Sequence, residues 1–234
     1  METGRQIAKG RDGAIYEYGP GRVLRKTFDG RNLEGEARLM TYVAAQGYPV
    51  PEVHELRAGG TELVMERVDG PLMMNAIATR PWTMAHHARV LADLHDSLHA
   101  IPAPEWLRQL PDEGDQLVHL DLHPLNVIMA ERGPVVIDWP NAARGDGLTD
   151  VALTYVLLTC PQMPGPRIAQ IGAQPVRVFL ARTFARRYRG RELDARIATA
   201  AEWKAFDKNM DEEEVASCRR LAARMRRRAT HSSH

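Results

Sequence analysis

Along the first seventy positions apolar residues recur with a period of two rather than 3.6, in short runs cut by glycine and proline. The runs QIAK, AIYEYG and RVLRKTF, between Gln6 and Phe28, predict three short antiparallel strands, with breaks at Gly10 to Gly13 and at Gly19-Pro20-Gly21. Asn32 to Gln46 changes to helical spacing, with Leu33, Ala37, Met40 and Ala44 on one side and Gly47 placed to end the helix ahead of Pro49. Val53 to Leu56 and Glu62 to Val68 predict two more strands around Ala58-Gly59-Gly60. The pattern breaks at Val68-Asp69-Gly70-Pro71, and the remainder of the chain is mainly helical. Trp82 to His99 carries a broad apolar face, and Leu148 to Thr159 is apolar almost all round, as a buried helix should be. Asp146, Thr149 or Asp150 can cap the start of that buried helix. Gln174 to Tyr188, Glu192 to Phe206 and Asp211 to Arg228 predict three further helices. The expected organisation is a small β-rich lobe with one helix over residues 1–68, a larger helical lobe over 69–229, and a disordered tail at 230–234.

Bulk properties narrow the class without choosing a chemistry. The 234 residues are 44% hydrophobic and 26% charged with a net charge of +1, so nothing global points to nucleic acid or an acidic membrane as partner. Cys160 and Cys218 have no metal-type spacing, and neither a signal segment nor a membrane-length apolar run is evident. The expectation is a soluble cytoplasmic protein, a monomer or dimer.

The chemistry concentrates in His119 to Asp138, HLDLHPLNVIMAERGPVVID. His119, Asp121 and Asn126 fit H-x-D-x-x-x-x-N, and two short apolar runs then lead to Asp138 in V-V-I-D. Such spacing suits a catalytic loop followed by a hairpin whose second strand delivers a carboxylate next to the loop. Phosphoryl transfer needs a positioned nucleotide, a divalent metal on its phosphates and a carboxylate aimed at the acceptor hydroxyl. Asp121 would orient or deprotonate the hydroxyl, Asn126 and Asp138 would offer hard oxygen ligands to Mg2+, and His119 would brace the loop.

These residues resemble the aminoglycoside phosphotransferase and choline kinase-like family of the protein-kinase-like fold. The likeness is carried by H-L-D-L-H-P-L-N at His119 to Asn126, I-D-W at Ile137 to Trp139, and G-D-G-L-T-D-V-A at Gly145 to Ala152. It implies an α+β, bilobal architecture and an ATP- or GTP-dependent, Mg2+-dependent phosphotransferase. Lys26 would contact the nucleotide phosphates and pair with Glu36; Arg25 and Glu34 are the fallbacks, because neighbouring strand residues face opposite ways. Met65 would sit behind the base and the backbone of Glu66 to Val68 would bind its edge. Gly10 and Gly13, in Lys9-Gly10-Arg11-Asp12-Gly13-Ala14, would let amides approach phosphate. His123 two positions after Asp121, and Trp139 after Asp138, favour a small hydroxylated acceptor over a protein. An atypical serine/threonine kinase and a nucleotide-binding module without catalysis are the alternatives.

The acceptor is expected to dock between the catalytic loop and the helices after Asp138. Trp203, Asp207 and the run Asp211 to Glu214 are candidates for contacting it, although an acidic run opening a helix is also what the helix dipole favours. Asp150 reads as a cap or a loop brace rather than a metal ligand.

Overall fold

The computed structural model describes residues 3–10, 13–112, 114–160, 167–208 and 210–231. Its elements run, in order, β1 (Gln6–Lys9), β2 (Gly13–Glu17), β3 (Arg22–Thr27), α1 (Glu34–Ala45), β4 (Val53–Arg57), β5 (Glu62–Glu66), α2 (Met73–Thr79), α3 (Met84–His99), β6 (Gln116–Val118), β7 (Val127–Ala130), β8 (Gly133–Val136), β9 (Ala143–Gly145), α4 (Gly147–Thr159), α5 (Arg167–Ala185), α6 (Arg191–Lys204) and α7 (Glu212–His231). Two compact units result: residues up to Ala76 together with Leu125–Pro140, and Ile77–Pro124 together with Asn141 onward.

In the first unit an antiparallel sheet has the order β1-β2-β3-β5-β4. Its strands are short, and one face is covered by α1 through Ala37, Leu39, Met40 and Val43, all buried. Glu36 lies on that same buried helix face, a carboxylate where burial alone would favour an alkyl group. The β7–β8 hairpin belongs to this unit too, although the sequence expectation put it in the helical lobe. The Val136 amide donates to Pro49 O at 2.8 Å, and the Met129 amide donates to Pro71 O at 2.8 Å. Trp139, almost fully buried, sets its ring edge-on to Tyr48 with 5.6 Å between centroids. These backbone ties and one large aromatic contact hold the hairpin to a unit that is distant in sequence, which periodicity cannot register. The expected boundary after residue 68 is therefore corrected.

The second unit is built on α4, whose Val151, Ala152, Leu153, Tyr155, Val156 and Leu158 are all buried, matching the all-round apolar pattern. Asp146 caps it, accepting the Leu148 amide at 2.8 Å. At its other end the Leu158 carbonyl accepts from Arg177 Nε at 3.0 Å, and the Thr159 carbonyl from Gln174 Nε2 at 3.4 Å, so α5 side chains satisfy carbonyls that the helix leaves open. α7 packs along α6 with Cys218, Leu221, Ala222 and Met225 buried. Periodicity overlooked α2, β6 and β9, each three to seven residues long and too short for a period to show. α5 continues seven residues before the position where Gln174-Pro175 seemed to open it. α7 extends through His231, with the Thr230 hydroxyl donating to Arg226 O and Arg227 O, so the expected tail begins inside a helix. Residues 232–234 lie outside the described residues. No helix among the described residues is long and apolar enough to cross a membrane.

Candidate active site

Strand register decides which cation faces which carboxylate. In the β3–β5 ladder Lys26 is opposite Glu62 and Arg25 is opposite Leu63. Directly opposed residues of an antiparallel pair share a face, so Lys26 meets Glu62, Nζ to Oε1 at 2.7 Å. Arg25 projects from the other face, where α1 lies, and its guanidinium binds Glu36. The same guanidinium stands 3.8 Å from Asp138 Oδ1. The expected Lys26–Glu36 pair is thus corrected to Arg25–Glu36, and Glu34 is exposed at the start of α1. Burial pushes the Glu36 carboxyl up, partly offset by Arg25. Its Oε2 is buried with no hydrogen-bond partner among the described residues.

Asp138 follows β8 with a φ of +71°, a left-handed conformation that costs a non-glycine residue energy and persists only where surroundings enforce it. The neighbouring Ile137 amide donates to Asn126 O at 3.0 Å, so the backbone of the two expected metal-binding residues is linked within one unit. Both side chains offer hard oxygen. Arg25 stands between two carboxylates, Glu36 and Asp138, and Arg31 adds a further positive charge near Glu36. Among the described residues no group of three or more His, Cys, Asp or Glu could cage a metal by itself. Two protein oxygens completed by phosphate oxygens and water is the arrangement Mg2+ ordinarily takes, so Asn126 and Asp138 fit it. Trp139, beside Asp138 in sequence, points into the core and donates Nε1–H to Val136 O at 3.1 Å.

The remaining nucleotide expectations fare unevenly. The Gly10 amide donates to Gly13 O at 2.9 Å, closing the β1–β2 turn, so it is already committed. Gly13 has a packing reason: a Cβ there would stand 2.3 Å from the Lys26 carbonyl oxygen. Arg11 and Asp12, in the same loop, lie outside the described residues. At the end of β5 the Glu66 amide donates to Glu52 O at 2.8 Å and the Arg67 amide to Gly21 O at 2.9 Å. Of the three amides expected to meet the base, Val68 N–H is the one without a backbone acceptor among the described residues. The Glu66 side chain holds Arg132 by both oxygens, and Met65 is opposite Val23 on β3.

In the second unit Asp121 is held by its neighbours. Leu120 has a φ of +64°, again left-handed for a branched side chain. Asp150, wholly buried, compensates by accepting the Leu120 amide at 2.7 Å and the His119 amide at 3.0 Å, while His99 Nε2 lies 3.1 Å from its Oδ2. Burial would raise the Asp150 carboxyl, but His99, His95 and these amides hold it well below the usual carboxylate range. The loop-brace reading of Asp150 is the one the geometry matches. His119 is fully buried, and its Nδ1 accepts the Asp121 amide at 3.3 Å, a contact within the loop backbone. Asp121 keeps a partly open carboxylate, with His123 Nε2 at 3.4 Å from Oδ1. Burial acts to raise the Asp121 carboxyl, yet the His123 hydrogen bond and charge, with His119 and Lys204, lower it below its ordinary value. An ionised carboxylate on a fixed loop is the group that phosphoryl transfer to a hydroxyl requires.

His95, His99 and Thr154 are neighbours of the His119–Leu122 loop and of Asp150 that sequence reasoning missed. Their signal was present only as two histidines four residues apart on an apolar helix, which reads as core. Of the acceptor candidates, Trp203 is exposed and Asp207 pairs with Lys204 at 2.7 Å. Asp211 and Glu214 form a reciprocal capping box: Asp211 Oδ1 accepts the Glu214 amide at 2.8 Å and Glu214 Oε2 accepts the Asp211 amide at 3.0 Å.

No curated protein sequence matches the chain. Among solved structures it is similar to a thermostable mutant of the aminoglycoside phosphotransferase APH(4)-Ia in ternary complex with AMP-PNP and hygromycin B, at TM-score 0.71 and 15% identity over 98% of this chain and 94% of that one. A choline/ethanolamine kinase family protein from Mesorhizobium loti matches at TM-score 0.58 and 17% identity, over 97% and 87% of the two chains. The amicoumacin kinase hAmiN, solved with AMP-PNP, Ca2+ and Ami, matches at TM-score 0.52 and 15% identity, over 98% and 88%. At such identities the likeness establishes the protein-kinase-like α+β fold. The sequence profile of the APH phosphotransferase enzyme family matches residues 3–111 and 74–175, well over half of the chain, which therefore belongs to that family.

Proposed function

We propose that the chain is an ATP- or GTP-dependent, Mg2+-dependent O-phosphotransferase that transfers the γ-phosphoryl group to a hydroxyl of a small molecule. Acceptors of the aminoglycoside kind, another antibiotic, or an amino alcohol are the classes to test, since relatives in the fold include complexes with hygromycin B and with Ami and a choline/ethanolamine kinase family protein. The observation that carries the reading is the Arg25 guanidinium bound to Glu36 and 3.8 Å from Asp138, a strand cation joined to a helix carboxylate and to the V-V-I-D carboxylate.

In the mechanism Arg25 binds nucleotide phosphate oxygens, a task its planar fork of donors suits. Glu36 fixes the guanidinium, and Asn126 and Asp138 would supply the protein oxygens for Mg2+. When bound, the metal neutralises charge developing on the phosphates. Val68 N–H hydrogen-bonds the edge of the base. Asp121 accepts a hydrogen bond from the acceptor hydroxyl, aligning its oxygen on the γ-phosphorus, and takes the proton as the new P–O bond forms and the bond to the nucleoside diphosphate breaks. His123 holds the carboxylate in line, and Asp150 and His119 fix the backbone beneath it.

The test is a screen of hydroxylated acceptors, including aminoglycosides, macrolides, choline and amino alcohols, for acceptor-stimulated nucleotide consumption. Stimulation by at least one acceptor, abolished in a folded Asp121→Ala protein, is expected. Full activity in that variant would overturn the mechanism.

A further inference from the structure

Asp121 is tethered on both flanks, and one helix carries both tethers. On the N-terminal side Asp150 accepts the His119 and Leu120 amides. On the C-terminal side the Leu122 carbonyl accepts from the Thr154 hydroxyl at 2.8 Å. Asp150 and Thr154 are four residues apart in α4, hence on one face, and both are buried.

The second tether has a competitor. Thr154 Oγ1 is 3.0 Å from His95 Nε2, and His95 Nδ1 is 2.8 Å from Leu91 O. The carbonyls of Leu91 and Leu122 can only accept, so the three contacts of this string require three hydrogens. A neutral imidazole and one hydroxyl bring two. His95 is completely buried against Phe184, and burial lowers its imidazole to about 4, so near neutral pH it carries a single hydrogen. Because the Leu91 carbonyl facing Nδ1 can only accept whereas the Thr154 hydroxyl facing Nε2 can also donate, we assign that hydrogen to Nδ1, which leaves Nε2 an acceptor. The one Thr154 hydrogen then faces two acceptors, Nε2 and the Leu122 carbonyl.

We propose that Thr154 is a positioning residue for the Asp121 loop and that His95 opposes it by competing for the Thr154 hydroxyl hydrogen. The loop is thereby held at less than the full strength of its tether, with the residual freedom confined to the backbone just after the acceptor-orienting carboxylate. Its relevance to catalysis rests on the assignment of Asp121 above; the tether itself does not.

Removing donor and competitor must act in opposite directions, which a loss of packing would not produce. Hydrogen exchange of peptides spanning Leu120 to Pro124 in the full chain reads this directly, alongside the thermal midpoint and Mg2+-dependent ATP hydrolysis with water as acceptor. Thr154→Val, isosteric without the hydroxyl, is expected to exchange about tenfold faster there, with kcat reduced and KM for ATP within about twofold. Thr154→Ser restores the wild-type rate. His95→Met and His95→Leu fill the site without an acceptor and are expected to slow exchange several-fold; either variant serves if the other does not fold. Unchanged exchange in Thr154→Val, or faster loop exchange in a folded His95 variant, overturns the proposal. If exchange behaves as expected and the wild type turns over neither ATP nor GTP with any acceptor of the screen, the tether stands and the phosphotransferase assignment falls.

Discussion

Arg25, and not its neighbour Lys26, is the strand cation that binds Glu36. Lys26 belongs to the opposite face, where it pairs with Glu62. The two cations therefore differ in consequence. Arg25→Ala is expected to reduce nucleotide turnover by at least about 100-fold, since it strips the charge proposed to meet the phosphates and leaves Glu36 buried without its partner. Lys26→Ala removes a partly exposed pair and is expected to cost under about 1 kcal/mol in chemical unfolding, with turnover within a few-fold of wild type. A dead Lys26→Ala beside an active Arg25→Ala would reverse the assignment.

Asp150 bears on both stability and the loop. Asp150→Asn removes the charge that the His99, His119 and Leu120 donors satisfy, and a loss of roughly 3 kcal/mol in urea unfolding is expected. The sign with pH is set by its lowered carboxyl. A folded pKa below the unfolded one gives stability that is fully present above the unfolded carboxylate pKa and is lost as pH falls from there through the folded pKa. The gap between wild type and Asp150→Asn should begin to narrow below about pH 5 and go on narrowing beneath the ordinary carboxylate range. A constant gap would refute the linkage.

His123 lowers the Asp121 carboxyl by hydrogen bond and charge. With His123→Ala the Asp121 pKa should rise, so the protonated, inactive form persists to higher pH. The acid limb of the kcat/KM profile is then expected to move to higher pH, with the alkaline plateau reduced by loss of alignment. An acid limb that stays in place would remove His123 from this role.

The acidic opening of α7 separates capping from acceptor recognition. Asp211→Ala breaks the reciprocal bonds with Glu214, and a loss of about 1 kcal/mol is expected from thermal unfolding. Acceptor KM should be unchanged for whichever molecule the screen identifies. A rise in KM of tenfold or more with unchanged stability would assign the run to the acceptor instead.

Trp139 marks how much of the motif is structural. Its ring packs on Tyr48 and its N–H reaches Val136 O, so Trp139→Ala should cost roughly 3–5 kcal/mol. Calorimetry of the full chain measures this; a change below about 1 kcal/mol would show that the hairpin is anchored by its backbone bonds alone.

The sequence by itself determined the order of the longer strands and helices, the buried character of α4, and the spacing of His119, Asp121, Asn126 and Asp138. Each is written in local periodicity or in fixed spacing along one continuous stretch, so a linear reading recovers it. Strand alternation likewise required that Arg25 and Lys26 face opposite ways. Which of them meets Glu36 depended on the register of β3 against β5, a long-range pairing that local pattern leaves open. The same holds for the Val136–Pro49 and Tyr48–Trp139 contacts that assign the hairpin to the first unit. It holds too for His95, His99 and Thr154, ordinary core residues along the chain that become the support of Asp121 once α3 and α4 lie together. Tertiary packing decided these because hydrogen bonds and ion pairs are made between atoms adjacent in space, and burial selects the pairs that satisfy one another.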